Sequence, residues 1–197
     1  MLELPEFNIS YDELLSAHNM TISKYDKAYE DLIIAIKNPW QSLDNILEFV
    51  RRWNSRVPIR KNKENIKEAV LNLKSKFDIL EPICLEELNF SGGNVELIEE
   101  IYRSLSKTVL KFTGSSKLMH GVNPGLFTMW DKGICEHYGC YPNYIGYVRF
   151  METSQQIIRN ILKDHKKGEI LKETNRTLPK LLDEYNWMHF RTSKAKT

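Results

Sequence analysis

Hydrophobic residues recur along most of the chain at intervals of three and four, the spacing of one face of an α-helix. Ile66, Val70, Leu73 and Phe77 follow this spacing, and a second series runs through residues 98–112. Sustained alternation of apolar and polar residues, which would indicate β-strands, is absent. The pattern predicts an all-α protein.

Capping residues, prolines and glycines mark the ends of nine predicted helices. These span residues 10–18, 22–37, 42–54, 62–77, 94–112, 115–121, 128–138, 143–165 and 178–190, with a weaker helical turn at 82–88. Ser10 and Glu13 have the spacing of a capping box, and Thr128 and Asp131 repeat it. Because the breaks are short, we expect one helical domain over residues 1–191, followed by a disordered tail at 192–197.

Composition agrees with a folded domain. Of the 197 residues, 42% are apolar and 27% are charged, which is typical of globular proteins. No apolar run reaches the roughly 20 residues that span a bilayer, and the first residues resemble no signal peptide. Three cysteines form no disulfide framework. We therefore expect a cytoplasmic protein that has no membrane partner.

The net charge of +2 conceals strong segregation along the chain. Residues 1–50 carry −6, residues 51–77 carry +7, residues 78–100 carry −7, and the remaining 97 residues carry +8. Two interpretations stay open. The basic block could form a face for a polyanion, or neighbouring helices of opposite charge could pair with each other.

Residues 114–139 contain ionisable and aromatic side chains at unusual density. Lys117 and His120 are three apart, hence on one helical face, and Asp131 opens the next predicted helix. Lys117 could be a surface lysine or a desolvated nucleophilic amine. His120 could be a hydrogen-bonded core residue, and Asp131 could serve only as half of a capping box.

Several motifs resemble a group of uncharacterised all-helical proteins with an S-K-x-L-H, P-x-L-F and W-D signature. They are S-S-K-L-M-H (115–120), N-P-G-L-F (123–127), M-W-D (129–131), H-Y-G (137–139), F-V-R-R-W-N-S-R (49–56) and L-P-K-L-L-D-E-Y-N-W (178–187). This resemblance spans most of the chain but implies no established activity.

The order of a lysine-bearing helix, a turn and an Asp that opens the next helix is more remotely similar to helix-hairpin-helix DNA glycosylases. The similarity implies a compact orthogonal helical bundle, with Lys117 as the nucleophile that attacks the sugar. Asp131 would stabilise the cationic transition state, His120 would assist, and Trp130 and Tyr138 would stack on an extruded base. That family's phosphate-binding hairpin would correspond to residues 112–116.

DNA is the partner that these features predict. The candidate phosphate-binding residues are Arg51, Arg52, Arg56, Arg60, Lys61, Lys63, Ser115 and Ser116. We expect no cofactor and no metal, because Cys135, His137 and Cys140 lack the matched spacing of a zinc site. The alternative to a glycosylase or abasic-site lyase is a non-catalytic helical module that binds protein or nucleic acid.

Overall fold

The computed structural model describes residues 7–21, 24–34 and 36–191. Within these residues every regular element is a helix and no β-strand is present, which confirms the predicted all-α class. The tail predicted at 192–197 lies outside the described residues, as do the first six residues of the predicted domain. None of the described helices is both long enough and apolar enough to cross a membrane.

The described residues form eleven α-helices. They are α1 (Tyr11–Met20), α2 (Lys24–Tyr29), α3 (Leu43–Trp53), α4 (Lys63–Leu71), α5 (Lys74–Leu80), α6 (Asn94–Ser106), α7 (Lys111–Val122), α8 (Lys132–His137), α9 (Tyr144–Asp164), α10 (Lys167–Thr174) and α11 (Leu178–Asn186). Turns of π-helix follow α2 and α11, at Glu30–Ile34 and Trp187–Arg191.

Trp130 is the largest fully buried side chain among the described residues and lies between α6 and α9. Its ring stacks on Phe150 of α9 with ring centres 5.6 Å apart, and its Nε1 donates to the Tyr102 hydroxyl of α6 at 3.1 Å. Because aromatic side chains bury large apolar areas, this contact fixes the segment that leads into α8.

Helix α7 packs closely on α3 because Gly121 has no side chain. A Cβ at this position would lie only 2.6 Å from Cγ2 of Ile46, closer than packed atoms approach. Lys117 lies one turn before Gly121, on the same face of α7. The close approach therefore brings Lys117 to α3.

The break between α6 and α7 differs from the prediction. It lies at residues 107–110, and Lys111 makes the turn with a positive φ of 53°. Ser115 and Ser116 are consequently inside α7, so the predicted start of this helix at residue 115 is wrong. Gly114 suggested a break, but it serves packing instead, since a Cβ there would lie 3.1 Å from Cβ of Leu110.

The start of α8 also differs from the prediction. Thr128 precedes the helix by four residues, and Asp131 itself is the N-cap residue. Thr128 is buried, and its carbonyl accepts a hydrogen bond from Tyr147 at 2.8 Å, which holds residues 128–130 outside a helix. By contrast, the capping box is confirmed at Ser10 and Glu13.

Candidate active site

Helix α11 is buried on almost its whole surface although it carries three charged residues. Lys180 is 1% exposed, Glu184 is 2% exposed and Asp183 is 7% exposed. Their spacing of three and four residues places both carboxylates within one turn of the amine. Lys180 Nζ lies 3.2 Å from Asp183 Oδ2 and 3.1 Å from Glu184 Oε1. Burial is possible because the opposite charges compensate one another.

Glu184 is also bound by groups outside α11. His18 of α1 lies 2.7 Å from Glu184 Oε2, and Arg176, just before α11, lies 3.3 Å from Oε1. Arg176 in turn donates to Glu30 at 3.0 Å. Burial raises the pKa of Glu184, but Lys180 and His18 outweigh burial and the pKa is lowered overall. Glu184 is therefore a fixed anion that connects α1 to α11.

Two lysine amines contact different parts of Trp53, the last residue of α3. Lys117 Nζ donates to the Trp53 backbone carbonyl at 2.8 Å, and Lys180 Nζ lies 4.4 Å from the centre of the indole ring. Lys117 is 9% exposed, so most of its surface is removed from water. We name the group formed by Trp53, Lys117, Lys180, Asp183 and Glu184 the lysine cluster.

Asp183 is the acid of the lysine cluster whose pKa is raised. Burial raises its pKa, and the charges of Lys180 and Lys117 counter burial only in part. A carboxyl with a raised pKa can exchange protons more readily near neutral pH than an ordinary aspartate.

His120, the predicted assisting residue, is fully buried. Its Nδ1 lies 2.6 Å from the Phe127 carbonyl, which can only accept, so Nδ1 carries the proton. Its Nε2 therefore accepts from the Tyr29 hydroxyl, 2.8 Å away. Burial lowers the pKa of His120 to about 3. The imidazole is neutral with both nitrogens occupied, an arrangement that connects α7 to α2.

Asp131, the predicted electrostatic partner of Lys117, performs a structural task. Its Oδ1 accepts hydrogen bonds from the backbone amides of Gly133 at 2.9 Å and Ile134 at 3.2 Å. These bonds satisfy amides that the first turn of α8 leaves without partners. Ser116 exchanges hydrogen bonds with the Trp130 backbone, so α7 and the start of α8 are adjacent.

Part of the basic segment 51–63 is neutralised by acids of its own region. Arg51 and Arg52 both bind Glu48, at 2.5 and 2.9 Å, and Lys63 lies 3.1 Å from Asp44. The Arg51 hydrogen bond lowers the pKa of Glu48 to about 2. The interpretation in which opposite charges pair thus describes these three basic residues.

The other predicted phosphate-binding cations differ from these three in their ion pairing. Arg56, Arg60 and Lys61 are exposed, and no ion pair involves them within the described ranges. They follow Trp53, on the loop and short turn that connect α3 to α4. Because Lys117 donates to the Trp53 carbonyl, the lysine cluster lies where this basic loop begins.

Four other predicted site residues are buried. Ser115 and Ser116 donate to carbonyls one turn earlier in α7, so neither hydroxyl is available to a phosphate. Trp130 and Tyr138 are 1% and 3% exposed. Since both rings are packed in the core, neither has a free face on which a base could stack. The structure therefore does not support phosphate binding by the two serines or base stacking by the two rings.

Lys180, Asp183 and Glu184 are the site residues that the sequence analysis missed. The signal was present in L-P-K-L-L-D-E, where a lysine and two acids interrupt an apolar run at helical spacing. Charges within an otherwise apolar helix indicate burial with partners. Periodicity alone could not show which other helix supplies the remaining partners.

The described residues contain no group of three or more His, Cys, Asp or Glu residues arranged to hold a metal ion. Cys135 instead contacts the Cys140 carbonyl, with its sulfur 2.7 Å from the oxygen. No protein-family model matches the chain, and no curated protein or solved structure matches it either.

Proposed function

We propose that the protein acts on DNA as an N-glycosylase or abasic-site lyase in which Lys117 is the attacking amine. One observation carries the proposal: the nearly buried Lys117 amine lies against the last residue of α3, where the exposed basic loop begins. A strand whose phosphates bind this loop would have its sugars close to the amine. The loop that binds the DNA and the amine that reacts with it would then lie next to each other.

The basic loop supplies the attraction. Arg56, Arg60 and Lys61 have no competing carboxylate in the described structure, so phosphates can take that place without breaking an ion pair. Contacts of this kind are independent of base sequence and release counterions from the nucleic acid. They would orient the strand and leave recognition of the damaged nucleotide to the site itself.

The lysine cluster supplies the chemistry. Burial and a neighbouring ammonium group both disfavour the charged form of an amine, and only the neutral form attacks carbon. Lys117 is buried, and Lys180 lies over the ring of Trp53, the residue to which Lys117 donates. The amine would capture the sugar aldehyde of an abasic site as an imine.

In this proposal, Asp131 is the carboxylate that stabilises the cationic sugar. Only its Oδ1 takes part in the cap of α8, and Oδ2 accepts no hydrogen bond from the residues that the structure describes. The order of α6, a short turn, α7 with Lys117, and Asp131 before α8 supports a likeness to the glycosylase bundle, which belongs to the same proposal.

Borohydride trapping on an oligonucleotide that contains one abasic site tests the proposal. Borohydride reduces the imine and leaves the protein covalently attached to the DNA. We expect an adduct with the parent protein and none with Lys117→Gln. Lys111→Gln is the matched control, since Lys111 is an exposed lysine on the same helix. If the parent forms no adduct with abasic or damaged-base oligonucleotides, the proposal is wrong.

A non-catalytic helical module that binds protein or nucleic acid is the second candidate. It is favoured by the structural partners of the three predicted catalytic residues: Trp53 for Lys117, Phe127 for His120, and the first turn of α8 for Asp131. A module that binds nucleic acid predicts salt-dependent binding to undamaged strands without any adduct, and unchanged binding by Lys117→Gln. A module that binds protein predicts neither strand binding nor an adduct.

A further inference from the structure

A cavity of about 550 Å³ lies against helix α9. Residues of α9 form one wall, and Phe7 and Asn8, which precede α1, also line it. No described residue of its lining belongs to the lysine cluster or to the basic segment 51–63. Pockets that hold small organic molecules have volumes of roughly 300–1,000 Å³. The cavity therefore has room for a small organic ligand and not only for a single ion.

The wall that α9 contributes is a polar face. Arg159, Asn160 and Lys163 follow Gln156 by three, four and seven positions, so all four side chains lie on one side of the helix. All four are exposed, and none of them belongs to the apolar core. One face of α9 thus presents two cations and two amides to the same volume.

The cavity has positive charge without a compensating acid. None of the described residues that line it is acidic, and neither Arg159 nor Lys163 forms an ion pair in the part of the chain that the structure describes. Arg159 Nε donates to the backbone carbonyl of Glu86 at 2.8 Å, and the Glu86 carboxylate pairs with Lys167 instead. The guanidinium is therefore held in place with its two terminal nitrogens available. An anion can bind here without displacing a carboxylate.

Two apolar side chains complete the lining at the other end of the chemistry that a ligand needs. The Phe7 ring packs on α8, with its centre 4.5 Å from that of Tyr138 and 5.5 Å from that of His137, so its position is fixed. Ile157 is 2% exposed and belongs to the core. A flat aromatic ligand packs favourably on such side chains. The amides of the lining both donate and accept hydrogen bonds, as the edge of a nucleobase requires.

We infer that this cavity binds a nucleoside 5′-monophosphate. The phosphate accepts charge-assisted hydrogen bonds from Arg159 and Lys163, and the base packs on Phe7 while its edge bonds to the amides. A free mononucleotide fits better than a strand, because a strand needs an extended groove and this is a single cavity. The site does not depend on the proposed lyase function, since the two share no residue.

Isothermal titration calorimetry with the intact protein tests the inference. The probes are the four common nucleoside 5′-monophosphates, the four matching nucleosides and inorganic phosphate. Lys163→Gln removes one cation of the cavity, and Asn160→Trp fills the cavity without changing its charge. Lys172→Gln is the matched control, because Lys172 is an exposed lysine of the neighbouring helix α10 that does not line the cavity. Melting curves verify that each variant is folded.

We expect at least one monophosphate to bind, and its nucleoside and inorganic phosphate each to bind at least tenfold more weakly. Lys163→Gln should weaken binding of the monophosphate by about tenfold, the effect of one lost hydrogen bond to a charged group. Asn160→Trp should abolish binding, and Lys172→Gln should bind as the parent does. Both test positions are exposed, so we expect both variants to fold.

Four results would overturn the inference. They are absence of binding by the parent for all four monophosphates, inorganic phosphate binding as tightly as the best monophosphate, parent-like binding by either test variant, and an equal loss in Lys172→Gln. A single-stranded oligonucleotide without a terminal phosphate provides a further comparison. If it binds more tightly than the monophosphates and loses the same affinity in Lys163→Gln, the cavity belongs to a strand and the inference is wrong.

Discussion

The lysine cluster and the basic segment 51–63 use the same residue types in opposite surroundings. In the cluster, Lys180 is 1% exposed and binds two acids of its own helix. In the basic segment, the side chain of Arg52 is 48% exposed and binds Glu48, one turn earlier. Water screens the second pair much more strongly than the first.

This difference determines what each region can do. An exposed ion pair contributes roughly 0–1 kcal/mol, so a phosphate can take the place of its acid at little cost. A buried pair cannot be opened in this way, because a single remaining charge has neither water nor a counterion. The exposed segment is therefore suited to attracting a ligand, and the buried cluster is suited to holding groups in fixed protonation states.

The largest difference between the two regions is expected from deletion of one cation in each. Lys180→Met leaves Asp183 without its hydrogen-bonded partner, and we expect it to lower the free energy of unfolding by about 3 kcal/mol or more. The exposed counterpart, Arg52→Met, is expected to cost no more than about 0.5 kcal/mol. Urea denaturation measures both. Equal losses would contradict the contrast between buried and exposed charges.

The interior also responds to pH through His120. Its folded-state pKa of about 3 lies below the ordinary value, so acid protonates the unfolded chain first. Stability should fall as the pH drops below about 6.5, by about 2 kcal/mol down to pH 4.5. His120→Gln should remove this part of the slope, and an unchanged slope in this variant would contradict the prediction. Urea midpoints measured at several pH values provide the comparison.

The contrast also explains how far the sequence could predict the structure. Helical periodicity predicted the fold class and most helices, because the apolar face of a helix is formed by residues of one continuous segment. It misplaced the start of α7, where Gly114 and Ser115 resemble a break but lie inside the helix. Gly114 is needed there for contact with Leu110, a tertiary constraint that local sequence does not show.

The candidate site was predicted in part for the same reason. Lys117 was identified from its neighbourhood in sequence, and the structure places it beside Trp53, 64 residues away. The acid near it in the sequence is Asp131, whereas the positive charge of Lys117 counters the effect of burial on the pKa of Asp183, on the distant helix α11. Charge pairing between distant helices depends on packing, which one sequence without structure does not reveal.

An intermediate effect is expected at Asp131, which lies between the two extremes in burial. Asp131→Ala removes the cap of α8 and should cost about 1 kcal/mol, whereas Asp131→Asn preserves the cap because asparagine caps equally well. Thermal melting measures the cap, and borohydride trapping measures the charge. A stable Asp131→Asn that no longer forms an adduct supports the lyase. A stable variant with full trapping would restrict Asp131 to its structural role.

The smallest effect on stability is expected on the exposed loop. Combined replacement of Arg56, Arg60 and Lys61 by glutamine should change the free energy of unfolding by no more than about 0.5 kcal/mol, because no ion pair of the described structure is lost. DNA binding should nevertheless weaken, with the slope of log affinity against log salt reduced by about 3 if each cation meets one phosphate. Fluorescence anisotropy on duplex and single strands measures this slope. An unchanged slope would show that the loop is not the surface that DNA contacts, even if Lys117 is still trapped.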